Sequence, residues 1–373
     1  MSSTEVPDAY AAAGVDYDLI DPGKRLAQQA AAGTAQQLNR RGFAEVAGSR
    51  GESAYVVHAG DHYLATLTEG LGTKSLVADA VRSITGRTHY DQVAHDAVAT
   101  ILNDLATVGA APVVVSAYWA AGGSDWFGDQ ERMADLARGW AEACVEAGAA
   151  WGGGETQAIG GIIQPGAATL AGAAVGIIRP KDRLLTGDIV QPGDAILLAP
   201  STGIHANGLT LARHVADSLP QGYATPVPGD PRGRGYGEVL LDPAPLYGPL
   251  VEALQDAGVS LHYAVHVTGH GWRKLMRAQR NVTYVVDYLP PVPPVLAFLA
   301  EHAGLSDAEA YATFNMGAGF ALYLPEAEVA QAQRAARSRG VELLHAGMVE
   351  AGPKRVVLRP IDVTYAADSL RVR

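Results

Sequence analysis

The sequence contains one cysteine, Cys144, among its 373 residues. A single thiol excludes an internal disulfide and any metal centre built from several cysteines. No apolar run approaches the roughly 20 residues that a membrane-spanning helix needs. The first residues lack the basic and apolar segments of a secretory signal. These absences predict a cytoplasmic protein that does not bind membranes.

Basic residues are also scarce, with 28 Lys and Arg against 39 Asp and Glu and a formal net charge of −11. Proteins that bind nucleic acid need a basic face to contact the phosphate backbone, so this balance argues against a nucleic-acid partner. A small anionic ligand remains compatible with it, because a few local donors outweigh a distant negative surface. Cys144 falls among the apolar positions of a predicted helix, which favours a buried, inert thiol.

Strand-like and helix-like patterns alternate along both halves, which predicts an α/β or α+β fold. A chain of this length exceeds one typical core, so two domains are expected. The breakers around Pro180 and Gly187 place the boundary between residues 1–182 and 183–373. The predicted strands are 54–58, 63–68, 112–118, 167–178, 195–199, 282–286, 319–323 and 354–358. The predicted helices are 74–84, 91–107, 129–148, 207–218, 244–257, 294–303 and 325–338.

Two glycine-containing loops share one plan, a strand before and a helix after. They are Thr68-Glu-Gly-Leu-Gly-Thr-Lys74 and Ser201-Thr-Gly-Ile-His-Ala-Asn-Gly208. Glycine lets the backbone approach a ligand, and a helix start offers free N–H groups to an anion. The loops therefore predict a pair of sites for phosphorylated compounds. Neither is a Walker A loop or a complete dinucleotide fingerprint.

Charged and amide side chains near these loops are candidates for chemistry. Glu69 ends a strand and Lys74 opens a helix, and a lysine ammonium suits phosphate oxygens. Asp96 and Asn103 are nearly two helical turns apart and share one helix face. Hard oxygen ligands on one face suit a metal–phosphate site. Local capping or hydrogen bonding by Asn103 or Asp104 is the alternative.

Three further segments each have a functional and a structural interpretation. The Gly152-Gly-Gly-Glu-Thr156 run brings backbone and a carboxylate to one surface, or forms a flexible turn. His205 exchanges protons near neutral pH, or hydrogen-bonds its own loop. Asn207 is a ligand contact or the N-cap of the following helix. No His-Glu-x-x-His zinc pattern occurs in the sequence.

Seven segments, in order over nearly the whole chain, resemble the phosphoribosylformylglycinamidine cyclo-ligase (aminoimidazole ribonucleotide synthetase) family. They are Tyr10-Ala-Ala-Ala-Gly-Val-Asp16, Glu69-Gly-Leu-Gly-Thr-Lys74, Asp96-Ala-Val-Ala-Thr-Ile-Leu-Asn-Asp-Leu105, Gly153-Gly-Glu-Thr156, Thr202-Gly-Ile-His-Ala-Asn-Gly208, His266-Val-Thr-Gly-His-Gly271 and Thr313-Phe-Asn-Met-Gly-Ala-Gly319. The resemblance implies two α/β domains, a homodimer formed through the N-terminal sheets, and ATP with Mg²⁺ as cofactors. It implies phosphorylation of the formyl amide oxygen of a ribonucleotide substrate, followed by imidazole ring closure.

The resemblance also implies the site residues. The expected catalytic residues are His205, Asp96 and Lys74, with His205 as a proton carrier. Glu69 and Asp96 are the expected metal ligands. The expected contacts to the nucleotide are Glu69, Gly70, Gly72, Thr73, Asn103, Gly153, Gly154, Glu155, Thr156 and Asn207.

Three positions depart from the family pattern. Glu69 stands where relatives usually have Asp, His270 stands where they have glycine, and the loop 48–54 replaces a Gly-Phe-Gly-type loop. These departures keep two alternatives open. One is a diverged enzyme that activates a different amide or ribonucleotide with ATP, and the other is a nucleotide-binding subunit without turnover.

Overall fold

A computed structural model describes residue 14 and residues 17–370, except the side chains of residues 17 and 18. The segment Tyr10–Asp16 therefore lies outside the described residues, apart from Gly14. Among the residues described, no helix combines the length and apolar character that crossing a membrane requires. The described chain builds two β-sheets, one from each half.

The first sheet has six strands in the order β1-β2-β3-β6-β4-β5. Its neighbours are antiparallel except β4 and β5, which run parallel. The strands are β1 (Ala44–Glu45), β2 (Tyr55–Ala59), β3 (His62–Gly70), β4 (Ala111–Ala121), β5 (Ala150–Ala158) and β6 (Ala168–Ile178).

Strand β6 shows why this sheet has two unlike faces. Its side chains alternate between buried positions and positions that are half-buried or exposed, as one packed face requires. The helices that follow the strands cover the buried face, and two of them pack against each other. On the opposite face Val113 and Val175 remain 47% and 37% exposed. The helices of this half are α1 (Tyr17–Ala32), α2 (Lys74–Thr85), α3 (Tyr90–Ala106) and α4 (Gln130–Glu146).

The second sheet has seven strands in the order β13-β12-β9-β11-β7-β10-β8, antiparallel except for the β12–β9 pair. The strands are β7 (Asp194–Pro200), β8 (Tyr263–His266), β9 (Val282–Val286), β10 (Ala318–Pro325), β11 (Leu344–Ala351), β12 (Arg355–Leu358) and β13 (Val363–Ala366). The accompanying helices are α5 (Leu209–Ser218), α6 (Tyr236–Leu240), α7 (Gly248–Asp256), α8 (Pro294–His302), α9 (Asp307–Thr313) and α10 (Val329–Arg337).

Helix α3 lies between the two halves and is buried almost all round. One side contacts strands β3 and β6, and the other contacts helix α7 and strand β8. The buried polar side chains of such a helix need hydrogen-bond partners inside the protein. Several of those on α3 find them in the second half of the chain.

The predicted mixed fold of sheets and helices is confirmed, and most predicted elements lie within a few residues of their observed bounds. Cys144 is buried, and burial raises its thiol pKa to about 11. The run Gly152–Thr156 belongs to β5, so the alternative of a flexible turn for this run is wrong. Strand β8 (Tyr263–His266) is not among the predicted strands. The boundary at residues 182 and 183 falls in the connection between β6 and β7, and the division into two domains stays a prediction.

Candidate active site at the junction of the two halves

The two glycine-containing loops meet at the junction between the sheets. Loop 68–74 connects β3 to α2, and loop 201–208 connects β7 to α5. The Lys74 Nζ atom donates to the backbone oxygen of His205 at 3.1 Å. Gly72 has a φ of +75°, and a Cβ atom there would lie 4.0 Å from the Ala206 oxygen. The loops therefore form one site instead of two separate ones.

Lys74 and Asp96 form an ion pair behind this junction, and both side chains are 0% exposed. The second Asp96 oxygen accepts from the Ala244 amide at 2.7 Å. Lys74 also donates to the Asp242 backbone oxygen at 3.3 Å. Each group is thus engaged by protein partners, as burial of a charge demands. Neither side chain belongs to the wall of the polar cavity that opens beside this junction. Their predicted catalytic roles stay predictions.

Asn103 holds the same segment of the second half. Its Nδ2 donates to the Pro245 oxygen at 2.8 Å, and its Oδ1 accepts from the Tyr247 amide at 2.7 Å. Both bonds join residues more than 140 positions apart in the sequence, so the alternative of purely local capping by Asn103 is wrong. His95 adds a 2.9 Å contact to the Ala244 oxygen. Helix α3 therefore binds the segment 242–247 through side chains spaced along its length.

A polar cavity of about 290 Å³ opens beside this junction. Its wall combines residues of α1, the loop 51–53, both glycine-containing loops, helix α3 and the segment 268–277. Three acidic and three basic side chains line it, together with His270. They are Glu52, Glu69, Asp104, Lys24, Lys274 and Arg277. Of the predicted nucleotide contacts, this cavity brings together Glu69, Gly70 and Asn207.

The carboxylate that faces Glu69 across the cavity is Asp104, one helical turn after Thr100, which also lines the wall. His266 Nδ1 lies 2.7 Å from Asp104 Oδ1. Burial alone would raise the pKa of Asp104, but the His266 hydrogen bond and the charge of Lys274 lower it below its ordinary value. Asp104 is therefore an ionised carboxylate in the interior.

Glu69 behaves in the opposite way. Burial first, and then the negative charge of Asp104, raise its pKa from 4.5 to about 7. The positive charges of Lys274 and Arg277 lower the pKa of Glu69, but they offset its burial and the Asp104 charge only in part. Glu69 and Asp104 together supply the negative charge and the hard oxygen donors that suit a divalent cation.

The raised pKa of Glu69 predicts how stability varies with pH. Its protonated form stabilises the folded, metal-free protein fully below about pH 4.5, and this contribution is lost as the pH rises to about 7. The melting-temperature difference between wild type and Glu69→Gln should therefore fall over that interval and stay constant above it. Thermal melts of both proteins in chelator test this. A difference that does not vary with pH would contradict the assigned environment of Glu69.

His205 is 3% exposed and has a φ of +60°. The Thr202 amide donates to its Nε2 at 3.4 Å, which leaves the proton of the neutral ring on Nδ1. Burial, together with nearby His266 and Lys74, lowers the pKa of His205 well below 6.5. Within the described part of the chain Nδ1 has no hydrogen-bond partner. His205 is thus a neutral imidazole beside the cavity.

Asn207 lines the cavity and does not cap helix α5, so the N-cap alternative is wrong. The N-cap position belongs to Gly208, whose φ is +85° and whose Cβ would lie 2.3 Å from the Phe314 ring. Only glycine fits there, which fixes where α5 begins. Thr73 occupies the corresponding position before α2 and makes no capping bond with its side chain.

The run Gly153, Gly154, Glu155 and Thr156 lies on strand β5 at the edge of the first sheet, where all four residues are exposed. Within the single chain these residues do not line the polar cavity. Their predicted contact with nucleotide stays a prediction.

Sequence reasoning did not select five charged residues of the cavity wall as site residues, namely Lys24, Glu52, Asp104, Lys274 and Arg277. Asp104 follows Asn103 directly, and a seven-residue spacing selected Asp96 and Asn103 instead. The spacing between Thr100 and Asp104 was the available signal, since residues four apart share a helix face. The sequence gives no comparable signal for Lys274, because no regular spacing relates this residue to those of the preceding His266–Gly271 segment.

Comparison with known proteins gives two family-model matches. Residues 51–178 match the N-terminal domain and residues 191–359 the C-terminal domain of AIR synthase related protein. The phosphoribosylformylglycinamidine cyclo-ligase of Carboxydothermus hydrogenoformans is 32% identical over 355 residues, covering 94% of this chain and 98% of that protein. The enzyme of the same name from an Anaeromyxobacter species is 34% identical, covering 92% and 96%.

A solved structure of the hydrogenase maturation protein HypE in complex with ATP has a TM-score of 0.58 and 19% identity to this chain. The match covers 83% of this chain and 87% of that one. At this identity the likeness shows the fold. The sequence matches extend over both sheets and include both glycine-containing loops. The chain therefore belongs to the AIR synthase related proteins, in the family of the phosphoribosylformylglycinamidine cyclo-ligases.

Proposed function

We propose that the protein is an ATP-dependent cyclo-ligase that closes formylglycinamidine ribonucleotide to aminoimidazole ribonucleotide. The observation that carries this proposal is the extent of the match to relatives named as that enzyme, 94% of this chain and 98% of the relative. The polar cavity supports it, since acidic and basic side chains from both halves converge there. The reaction phosphorylates the formyl amide oxygen, and ring closure then expels phosphate.

Mg²⁺ fits the pair Glu69 and Asp104. Among the described residues no set of three or more His, Cys, Asp or Glu side chains forms a metal site. Two carboxylates suffice for Mg²⁺, which usually keeps several waters and takes the remaining ligands from phosphates. The bound ion would neutralise phosphate charge during transfer. We assign its protein ligands to Glu69 and Asp104, because Asp96 is occupied by Lys74 and Ala244.

A second cavity of about 780 Å³ adjoins the polar one and shares Gln28, Gly51 and Glu52 with it. Its wall includes apolar side chains, among them Leu38 and Tyr55. The polar cavity alone is small for a whole nucleotide, since ligand pockets commonly measure about 300–1,000 Å³. We assign the phosphates to the polar cavity and the nucleoside to the larger one.

The chain's own contribution to the reaction is positioning and charge. Helix α3 supplies Asp104 from a rigid, buried element, and the loop 201–208 presents Asn207 on the facing wall. Groups held in this way act on phosphoryl transfer without reorganising as charge develops. The ion pair of Lys74 and Asp96 fixes the loops behind the reacting groups.

We assign His205 a positioning role, because its ring is buried and neutral. His205→Ala should lower kcat/KM by about 10- to 100-fold by shifting Ala206 and Asn207, since small displacements near a reacting centre have effects of this size. The pH–rate profile should keep its shape. Steady-state kinetics between about pH 5 and about pH 8, on both sides of the usual histidine pKa of about 6.5, test this. If the pH–rate profile of the variant lacked one ionisation that the wild-type profile shows, His205 would instead be the predicted proton carrier.

We also propose a homodimer formed through the first sheet. The support is its uncovered face, on which Val113 and Val175 are exposed, and the family membership. Packing of the partner's first sheet against this face would bury the part of edge strand β5 that holds Glu155. Light scattering of the purified protein gives the mass directly, and a monomer at micromolar concentration would overturn this part of the proposal.

The central test is ADP release by the purified protein with Mg²⁺-ATP, with and without formylglycinamidine ribonucleotide. Substrate-dependent ADP, matched by aminoimidazole product, is the expected result. ATP binding without turnover on this substrate would reject the proposal in favour of a diverged enzyme or a non-catalytic nucleotide-binding subunit. The departures Glu69 and His270 would then be the first positions to revert.

A further inference from the structure

Lys274 differs from the other basic side chains of the polar cavity in how its charge is balanced. The Lys24 ammonium lies 3.3 Å from Asp21 Oδ1, and the Arg277 guanidinium lies 3.5 Å from Glu52 Oε2. Lys274 has no such ion pair within 4.0 Å among the described residues. It is nevertheless the more deeply placed of the two lysines, with 8% exposure.

Neutral oxygens hold the Lys274 ammonium in place. It donates to the Thr268 hydroxyl, and its Nζ lies 3.4 Å from the His266 backbone oxygen. Both acceptors belong to the segment that runs from β8 along the cavity wall. An ammonium has three N–H groups, so two bonds of this kind orient the head and leave one donor.

The nearest negative charges act on Lys274 from a distance. Burial lowers its pKa to about 8, while Asp104 and, more weakly, Glu69 act in the opposite direction. A buried charge without a direct counterion is unfavourable unless a ligand completes its environment. The same carboxylates are the proposed ligands of Mg²⁺, and once a divalent cation neutralises them Lys274 needs another anionic partner.

We propose that Lys274 binds a phosphoryl oxygen of the ligand in the polar cavity, as a fixed cation oriented by Thr268 and the His266 carbonyl. The inference rests on the proposed function in taking phosphates as the ligand of this cavity. It adds a binding residue that neither glycine-containing loop supplies. A compact ammonium with a free donor suits a phosphate oxygen as a point charge.

The test measures the affinity of wild type and Lys274→Met for tripolyphosphate and for ATP, both with Mg²⁺, by calorimetry. Methionine keeps the length and apolar stem of lysine and removes the charge. We expect affinity for both ligands to fall about 10- to 100-fold, the effect of losing one charged hydrogen bond. Lys354→Met, a half-buried lysine in the turn between β11 and β12, is the matched control and should bind as wild type does.

Lys274→Gln replaces the methionine variant if the latter does not fold, because the amide can still donate to Thr268 and to the His266 carbonyl. Unchanged affinity for tripolyphosphate in a folded Lys274 variant would overturn the inference. Failure of the proposed function is a separate result. A wild type that releases no ADP, yet binds tripolyphosphate through Lys274, would reject the cyclo-ligase and leave the phosphate contact standing.

Discussion

Lys74→Met is expected to lower the free energy of unfolding by about 3–5 kcal/mol, the usual result of removing one partner from a buried ion pair. The remaining Asp96 carboxylate would be buried with only the Ala244 amide as a donor. Asp96→Ala should cost as much, because it leaves the Lys74 ammonium with carbonyl acceptors alone. The double variant Lys74→Met/Asp96→Leu should lose less than the sum of the single changes, since neither charge then remains. Urea unfolding of the metal-free proteins measures all three values.

The same variants separate a structural role of this pair from the catalytic role predicted from the sequence. A folded Lys74→Met protein with wild-type stability and no turnover would support the catalytic role. Large destabilisation, with residual turnover in the fraction that stays folded, would support the structural one. Lys354→Met again serves as the control, because its side chain is half-buried and lies away from both cavities.

Hydrophobic periodicity predicted the long elements well because their packing is regular. Strand β6 alternates along its whole length, and α4 presents one apolar face to the sheet. Strand β5 was not predicted because its glycines and exposed side chains give no alternation of apolar and polar residues. It forms a strand because it pairs with β4. Strand β8 has four buried residues in succession, a pattern that does not distinguish a short strand from other buried segments.

The site was only partly predictable, and helix α3 shows the physical reason. A carboxylate on a helix between two layers can point to a cavity or to the neighbouring layer, and spacing does not distinguish the two. Asp96 and Asn103 share a face that binds the segment 242–247. Asp104 lies one residue further along, where the helix faces the cavity. The choice between them depends on tertiary packing with the second half of the chain.

Both glycine-containing loops have the predicted local structure, because a strand, glycine and a helix start follow one another in each. Their convergence into a single site was not predictable from either loop alone. It depends on the contact between Lys74 and the His205 carbonyl, which joins residues 131 positions apart. His270 adds a strained backbone at the same junction, with a φ of +72° where glycine would be favoured.

Asp104→Asn is expected to lower kcat by about 10²- to 10³-fold, the range seen when one preorganised electrostatic group is removed from an active site. It should also weaken Mg²⁺ binding, because Glu69 alone would remain as a charged ligand. The pKa of Glu69 should fall toward its ordinary value of 4.5 once the neighbouring negative charge is gone, although its burial persists. The change is nearly isosteric, so the loss should appear in activity and metal affinity and not in the fold.

Mg²⁺ titration calorimetry and ADP release, measured on the same preparations, check both parts of this prediction. Asp256→Asn is a suitable control, since this carboxylate pairs with Arg183 at 2.6 Å on the surface, outside the polar cavity. If Asp104→Asn kept wild-type turnover and Mg²⁺ affinity, the metal would have to bind elsewhere. The pair Glu69 and Asp96, predicted from the sequence, would then return as the candidate, although this requires Lys74 to release Asp96 when the cation arrives.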